Sequence, residues 1–115
     1  MERRESQRVK INIPVLISYD IHGLEIDDTG YLIDLSNGGI ALYTNQPLFS
    51  DQNLNLQLGA AFKELKNPLE FSVLHCNSCT SRAYPYKIRA RLNEQKKEPT
   101  LAYKGLVSKL RQQAS

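Results

Sequence analysis

Apolar and polar residues alternate along much of this chain, in short runs separated by turn-forming residues. Val9, Ile11, Ile13 and Val15 alternate with polar residues or proline, and a period of two is typical of a strand with one buried face. Similar runs recur at regular intervals. The predicted strands cover residues 9–19, 24–34, 40–43, 54–58, 69–75 and 86–92. Six short strands at this spacing indicate an antiparallel β-sandwich or β-barrel.

The connections between these runs carry turn residues, and two of them allow alternative interpretations. Residues 20–23 supply hairpin chemistry, whereas residues 27–30 form either a bulge in the returning strand or the true turn. Residues 34–39 form a tight connection, and either of its last two residues, both glycine, can adopt a positive φ. Residues 60–67 have helical propensity, although a strand extension also fits them. Residues 77–85 are predicted to form a polar loop.

A single helix is predicted after the last strand. Residues 94–99 form a charged linker, and residues 100–113 follow it. The segment carries one apolar stripe, at i, i+3, i+4 and i+7, formed by Tyr103, Leu106, Val107 and Leu110. Gly105 lies inside the segment and costs about 1 kcal/mol relative to alanine. The helix should therefore depend on packing against the barrel.

The chain has 115 residues, which suits one domain with a core that needs no disulfides. Its hydrophobic fraction of 41% and charged fraction of 23% are ordinary for a globular protein. No stretch approaches the roughly 20 apolar residues of a membrane span, so we expect no membrane insertion. The first residues lack the apolar region of a secretory signal, and we therefore expect a cytoplasmic protein.

The net charge of +3 is unevenly distributed along the chain. Residues 1–10 carry four basic and two acidic side chains, residues 11–81 carry two and eight, and residues 82–115 carry nine and two. Positive charge therefore lies at both ends of the sequence, around an acidic middle. This distribution indicates either an anion site assembled from the two ends or a mixed, solvated surface.

Two polar motifs contain residues that a small barrel does not need for its own stability. The N-terminal segment contains Arg4-x-x-x-Arg8, and the connection after the second strand contains Asp34-x-Ser36-x-x-Gly39. Arginine presents a planar fork of donors that suits phosphates and the O6/N7 edge of guanine. A carboxylate accepts hydrogen bonds from the guanine N1/N2 edge. Together the motifs indicate a site for a phosphate-bearing guanine ligand.

The pair of motifs resembles the signature of PilZ domains, the bacterial receptors for cyclic di-GMP, and the resemblance covers roughly residues 2–93. It implies an all-β fold with a C-terminal helix, in which six antiparallel strands form a split or Greek-key barrel of PilZ type. It also implies a flexible arm at residues 1–9, a barrel at residues 10–93, and a linker with a docked helix at residues 94–115.

The same resemblance implies a role for each motif residue. Arg4 and Arg8 would contact guanine edges and phosphates of cyclic di-GMP. Asp34 would accept hydrogen bonds from a guanine edge, and Ser36 would add a hydroxyl contact to phosphate or base. Gly39 would permit the turn and a close backbone approach.

Two further features concern how the ligand would be held. Arg3 precedes the first motif arginine, and in PilZ-like proteins an arginine there accompanies two mutually intercalated ligand molecules. The last strand departs from the family pattern, because residues 86–92 lack the glycine and phenylalanine common there. Arg89 and Arg91 share one face of that strand, and they either face the ligand or form its solvated side.

The remaining reactive residues indicate no metal or catalytic site. Cys76 and Cys79 form a C-x-x-C motif after His75, but zinc needs four ligands and His22 is far away in sequence. No α/β pattern supports a thioredoxin motif, so we expect two reduced thiols in a turn, with a reversible disulfide as the alternative. The sequence shows no Ser/His/Asp constellation, P-loop or dinucleotide fingerprint. We therefore expect neither an enzyme nor a cofactor.

The sequence thus predicts a cyclic di-GMP receptor whose ligand orders the N-terminal arm over the barrel and so signals to a partner protein. One alternative is a nucleotide-independent PilZ-like adaptor of the type IV pilus kind, although ligand-free members tend to lack the intact motifs. A barrel that binds single-stranded nucleic acid is disfavoured, because the tyrosines are scattered and the middle of the chain is acidic.

Overall fold

The computed structural model describes residues 8–80 and 83–114 of the chain. Six strands and one helix follow one another in this order: β1 (Val9–Ile21), β2 (Leu24–Leu35), β3 (Gly39–Thr44), β4 (Asn53–Gln57), β5 (Leu69–Ser78), β6 (Tyr86–Leu92) and α1 (Lys97–Ala114). The strands form a closed antiparallel barrel in the order β1-β2-β3-β6-β5-β4. The predicted six-stranded barrel with a C-terminal helix is confirmed.

A two-residue hairpin connects β1 and β2 and fixes the register of both strands. His22 and Gly23 have φ values of 53° and 85°, as a tight turn matched to the strand twist requires. Ile21 pairs with Leu24, and the pairing runs without interruption through residues 27–30. That segment therefore contains neither the turn nor the bulge considered for it, because the hairpin already closes at Gly23.

The side chains that face into the barrel form its core, and α1 covers one end of the barrel. Fully buried side chains include Leu32, Leu35, Leu42, Leu54, Leu56, Phe71 and Ile88. The predicted helical stripe is confirmed: Tyr103, Leu106 and Val107 are buried, and Leu110 is partly buried against the core. Each such side chain contributes about 1.5–3 kcal/mol by leaving water, which is how a helix containing an unfavourable glycine stays docked.

The largest differences from the predicted elements concern the segment 60–67, the end of β5 and the start of α1. The segment 60–67 forms hydrogen-bonded turns rather than a helix or a strand, and it buries Leu65. β5 continues to Ser78 rather than ending at His75, because Ser78 still pairs with Tyr86 of β6. α1 begins at Lys97, three residues earlier than predicted. Pro99 lies in its first turn, where backbone N–H groups have no partner within the helix, so the missing N–H of proline costs no helical hydrogen bond. No described helix is long and apolar enough to cross a membrane.

Candidate functional site

A register shift in β2 turns Asp34 to the outside of the barrel. Leu32 and Leu35 are both buried although they lie three positions apart, which strict alternation would forbid. The pairing of β2 with β3 shifts between Leu32 and Asp34, and the extra residue lets both leucines face inward. Asp34 consequently pairs with Lys10 on one side and Ala41 on the other.

Arg8 and Asp34 form an ion pair at the start of β1 and the end of β2. Arg8 Nη1 donates to Asp34 Oδ1 at 2.7 Å, and the two side chains are 32% and 13% exposed. Charge-assisted hydrogen bonds of this length are among the stronger ones in proteins. The guanidinium has five N–H donors in all. The pair thus holds one arginine of the first motif against the aspartate of the second.

The turn between β2 and β3 is closed by its own serine and glycine. The backbone N–H of Ser36 donates to the carbonyl oxygen of Gly39 at 2.8 Å, and the Ser36 hydroxyl lies 3.3 Å from the same oxygen. Ser36 is buried. Its hydroxyl therefore supports the turn in this structure, and the ligand contact that the resemblance implies for it stays a prediction.

Gly39 is required by packing rather than by its backbone angles. Among the described glycines only Gly23 has a positive φ, so the expectation that Gly38 or Gly39 adopts one is wrong. A Cβ added to Gly39 would fall on the carbonyl oxygen of Ala90, whereas one added to Gly38 would meet nothing within 4 Å. The close approach that Gly39 permits in the described structure is that of β6.

Tyr103 of α1 connects the helix to this turn. Its hydroxyl lies 2.7 Å from the carbonyl oxygen of Ser36 and 2.9 Å from that of Gly39. Burial raises the pKa of Tyr103 above its ordinary value, and Asp34 and Arg8 are close enough to shift it in opposite directions. The apolar stripe predicted that Tyr103 docks, but its hydroxyl partners lie more than sixty residues away, and no local signal identifies them.

The outer face beside Asp34 also carries the two arginines of β6. Asp34 pairs with Ala41, Ala41 pairs with Arg89, and Gly39 pairs with Arg91. Because Ile88, Ala90 and Leu92 are buried, both arginines project from the outside of the barrel. Arg89 is half-buried and Arg91 is exposed. These two arginines therefore lie two strands away from Asp34, on the same surface.

Two tyrosines border this surface on its other side. Tyr31 pairs with Tyr43 across β2 and β3, and the ring of Tyr31 stacks on that of Tyr84 with centroids 6.4 Å apart. The Tyr31 hydroxyl donates to the carbonyl oxygen of Asn12 at 3.0 Å. In sequence these tyrosines are scattered, and only the strand register brings them together. Sequence reasoning therefore missed this aromatic group.

The structure brings four of the six predicted site residues together: Arg8, Asp34, Ser36 and Gly39. Arg3 and Arg4 lie outside the described residues. Cys76 lies in β5 opposite Ile88, so it is in a strand rather than in the predicted turn. Cys79 follows the strand, and its thiol donates to the carbonyl oxygen of Tyr84 at 3.3 Å; the two cysteines form no disulfide in this structure. Within residues 8–80 and 83–114, no three His, Cys, Asp or Glu side chains are grouped to hold a metal ion.

The closed barrel, the motif turn and the arginine beside it are the features of one bacterial domain family. The sequence matches the PilZ domain family over residues 2–98, and the chain belongs to that family. No curated protein sequence matches it.

Solved structures with the same fold include several PilZ proteins. The K. pneumonia MrkH–c-di-GMP complex superimposes with a TM-score of 0.73 at 18% identity, covering 99% of this chain and 55% of that one. The PilZ domain of YcgR from Escherichia coli with c-di-GMP gives 0.68 at 13% identity, covering 98% and 95%. Bacillus subtilis MotI/DgrA, an inhibitor of motility, gives 0.66 at 19% identity, covering 100% and 54%. The chain thus spans about half the length of MrkH and nearly all of the YcgR domain.

Proposed function

We propose that this PilZ domain binds cyclic di-GMP on the outer face of the barrel, beside the turn at residues 34–39. The observation that carries the proposal is the ion pair between Arg8 and Asp34 at 2.7 Å, which joins the two sequence motifs. MrkH and the YcgR domain, which share the fold, are complexes with c-di-GMP. The ligand of these two structures supports the choice of cyclic di-GMP, and the ion pair supports the proposed location.

The charges of this face suit a ligand with two phosphates and two guanines. Arg8 keeps donors beyond the one that contacts Asp34, and those can reach a phosphate or the O6/N7 edge of a guanine. Asp34 is an acceptor for the N1/N2 edge of a guanine, which presents donors only. Arg89 and Arg91 lie on the same surface and add positive charge. Each bidentate arginine–guanine contact is worth about 1–3 kcal/mol of discrimination against another base.

Aromatic and backbone groups complete the proposed site. Tyr31 and Tyr43 pair across β2 and β3, next to the pair of Asp34 and Ala41, and their rings could stack with a base. Such stacking is worth about 1–3 kcal/mol per base. Ser36 is buried and its hydroxyl lies against the Gly39 carbonyl oxygen, so it supports the turn that carries the proposed site. Gly39 keeps the turn against β6, so that the polar groups of the turn stay beside those of the last strand.

We further propose that ligand binding orders the N-terminal arm. Arg3 and Arg4 would join Arg8 around the phosphates, whose negative charge offsets the repulsion among three guanidinium groups. Three arginines also suit two intercalated ligand molecules per chain. The ordered arm would present a new surface to a downstream protein in the cytoplasm. In this proposal the domain is a receptor and not an enzyme.

Isothermal titration calorimetry tests the proposal. Cyclic di-GMP is titrated into the wild type, Arg8→Ala and Lys63→Ala, with GTP and cyclic di-AMP as control ligands. Lys63 is exposed and lies in the 58–68 segment, so its removal changes the net charge equally without touching the site. We expect binding of cyclic di-GMP alone, loss of that binding in Arg8→Ala, and retention in Lys63→Ala.

The same titration examines stoichiometry. Two ligands per chain in the wild type and one in Arg3→Ala would support the intercalated pair, whereas one ligand in both proteins would contradict it. Absence of heat with every nucleotide would overturn the receptor proposal and favour the nucleotide-independent adaptor.

A further inference from the structure

A group of large apolar side chains lies exposed at the end of the barrel opposite the Arg8–Asp34 ion pair. Phe49 is 73% exposed, Leu24 67%, Leu74 40% and Ile21 36%, and we call these four residues the Phe49 patch. Ile21 and Leu24 face each other across the β1–β2 hairpin. β2 runs from this hairpin to Asp34, so the patch and the proposed nucleotide site are separated by the length of that strand.

The loop that carries Phe49 is fastened on both sides. The Gln52 side chain accepts from the Phe49 N–H at 2.9 Å and donates to the carbonyl oxygen of Asp20 in β1 at 2.9 Å. On the other side, the N–H of Asp51 donates to the carbonyl oxygen of Val73 in β5 at 2.7 Å. The loop is therefore tied to two strands, and its position does not depend on any contact made by the phenyl ring.

The loop also contains backbone strain and a second link to the patch. Asp51 has a φ of 69°, a conformation that costs a residue other than glycine about 1–3 kcal/mol. The Ser50 hydroxyl donates to the carbonyl oxygen of Leu74 at 3.2 Å. Several hydrogen bonds thus fix the backbone of this loop, and the loop exposes the Phe49 side chain to solvent. A loop with a fixed backbone loses less entropy on binding, and phenylalanine is enriched in the cores of protein–protein interfaces.

Beside Phe49 the surface is concave. A groove of about 300 Å³ is lined by Ile21 and His22 of the hairpin and by Phe49 and Asp51 of the loop. A groove of this size accepts one or two apolar side chains, and the phenyl ring forms one of its walls. The patch therefore combines an exposed phenyl ring with a groove beside it.

Two acidic residues, Asp20 and Asp51, line the groove of the patch and define the charge of what can dock there. Asp20 pairs with Glu25 next to Ile21 and Leu24, and Asp51 follows Phe49 by two positions. The sequence contains no lysine or arginine between residues 11 and 62, so β2, β3 and β4 carry no basic side chain, and the one in β1, Lys10, pairs with Asp34 at the other end of that strand. Such a surface repels nucleic acids, anionic membranes and acidic proteins, and it attracts cationic segments.

We infer that the Phe49 patch is a docking site for a cationic segment of another protein, one that presents leucine or phenylalanine side chains between lysines and arginines. The apolar side chains would enter the groove beside Phe49, and the basic ones would face Asp20, Glu25 and Asp51. Charge complementarity of this kind sets the partner and speeds association. A second copy of the chain is a poorer occupant, since the acidic residues of the two copies would oppose each other. The inference concerns a second surface and does not depend on nucleotide binding.

Fluorescence polarisation with two synthetic peptides tests the inference on the ligand-free protein. One labelled 14-residue peptide carries leucines on one helical face and lysines elsewhere, and the other replaces every lysine with glutamate. The proteins are the wild type, Phe49→Ala and Leu101→Ala. Leu101 is 60% exposed on α1 and serves as the matched control. Thermal unfolding is measured as well, and both variants should fold, as expected for exposed positions.

We expect the lysine peptide to bind the wild type and Leu101→Ala, to bind Phe49→Ala at least tenfold more weakly, and to dissociate as salt is added. The glutamate peptide should not bind. No binding of the lysine peptide, or binding that Phe49→Ala leaves unchanged, would overturn the inference. Two further results would also overturn it: sedimentation showing a dimer that Phe49→Ala abolishes would assign the patch to a second copy, and Phe49-dependent binding to phosphatidylglycerol vesicles would assign it to a membrane.

Discussion

The hydroxyl of Tyr103 in α1 lies 2.7 Å from the carbonyl oxygen of Ser36, which is 67 residues earlier in the chain. This contact links the last element of the fold to the turn that carries the second motif. The Gly39 carbonyl oxygen lies 2.9 Å from the same hydroxyl, so the helix holds both ends of the turn. The geometry of the candidate site therefore depends on the docking of α1 as well as on the barrel.

Tyr103→Phe should loosen the turn while leaving the helix docked. Removing the hydroxyl deprives buried carbonyl oxygens of a donor, which costs about 1–3 kcal/mol. We expect the unfolding free energy to fall by that amount, and the amides of residues 36–39 to exchange hydrogen faster. Leu106→Ala is the control, because it destabilises the same helix by leaving a cavity but keeps the hydroxyl. Equal exchange of the turn amides in both variants, compared at equal stability, would contradict this role.

Gly39→Ala and Gly38→Ala should differ sharply although they are adjacent and chemically identical. A Cβ at position 39 would fall on the backbone of Ala90 and force β3 away from β6, whereas a Cβ at position 38 meets open space. Overpacking of this kind costs about 1–3 kcal/mol, and an exposed change without contacts stays within about 0.5 kcal/mol. Urea denaturation measures both. Similar stability of the two variants would show that β6 does not require the glycine.

Tyr103 and Gly39 illustrate how much of the structure the sequence alone can predict. The strands, the helical stripe and the motif turn follow from local patterns, because alternation and turn chemistry act over a few residues. The contact of Tyr103 with Ser36 and that of Gly39 with Ala90 depend on which distant segments become neighbours. The same holds for Tyr31 and Tyr43, which only the register of β2 and β3 brings together.

Two motifs whose spacing is specific to a family indicated which residues of the candidate site lie together. The sequence indicated that Arg8 and Asp34 act together, and the structure places them in contact. What the motifs could not indicate is the rest of the surface. Arg89 and Arg91 were ambiguous because a single strand has two faces, and only closure of the barrel between β3 and β6 puts them beside Ala41 and Gly39.

Asp34→Asn should weaken cyclic di-GMP binding much more than it affects stability. The ion pair with Arg8 is partly exposed, so its loss should change the unfolding free energy by about 0–1 kcal/mol. Hydrogen bonds to a charged acceptor are worth about 1.5–3 kcal/mol, which corresponds to a loss of affinity of about tenfold or more. Calorimetry and thermal unfolding measure the two effects separately.

Asp51→Asn is the matched control for that substitution. Asp51 lies in the loop at the other end of the barrel, and asparagine tolerates its positive φ of 69°. Nucleotide affinity should be unchanged. If Asp34→Asn and Asp51→Asn bind cyclic di-GMP equally well, Asp34 is not a ligand contact.

Alkaline pH should destabilise the barrel in part through Tyr19. The buried Tyr19 hydroxyl donates to Asp28 Oδ2 at 3.0 Å, and burial, with help from Asp28, raises the pKa of Tyr19 from 10.0 to about 12. The unfolded chain releases this proton at lower pH than the folded one. The contribution of Tyr19 is therefore complete below about pH 10 and is lost as the pH rises from about 10 towards 12.

Urea denaturation across this pH range measures the effect. Tyr19→Phe has no hydroxyl to ionise, so its stability should fall less steeply than that of the wild type between about pH 10 and 12. Tyr103 keeps a raised pKa in both proteins, so some loss remains in the variant. Parallel losses in the wild type and Tyr19→Phe would show that this phenol does not contribute.

The central claim is that cyclic di-GMP binds the outer face of the barrel between Arg8, the 34–39 turn and β6. Titration of the labelled protein with the ligand, followed by amide chemical shifts in two-dimensional NMR spectra, tests it most directly. The account predicts shifts concentrated at Arg8, residues 34–39 and residues 89–91, with the loop at residues 49–52 unchanged. Shifts centred on any other surface, or none at saturating ligand, would contradict the claim.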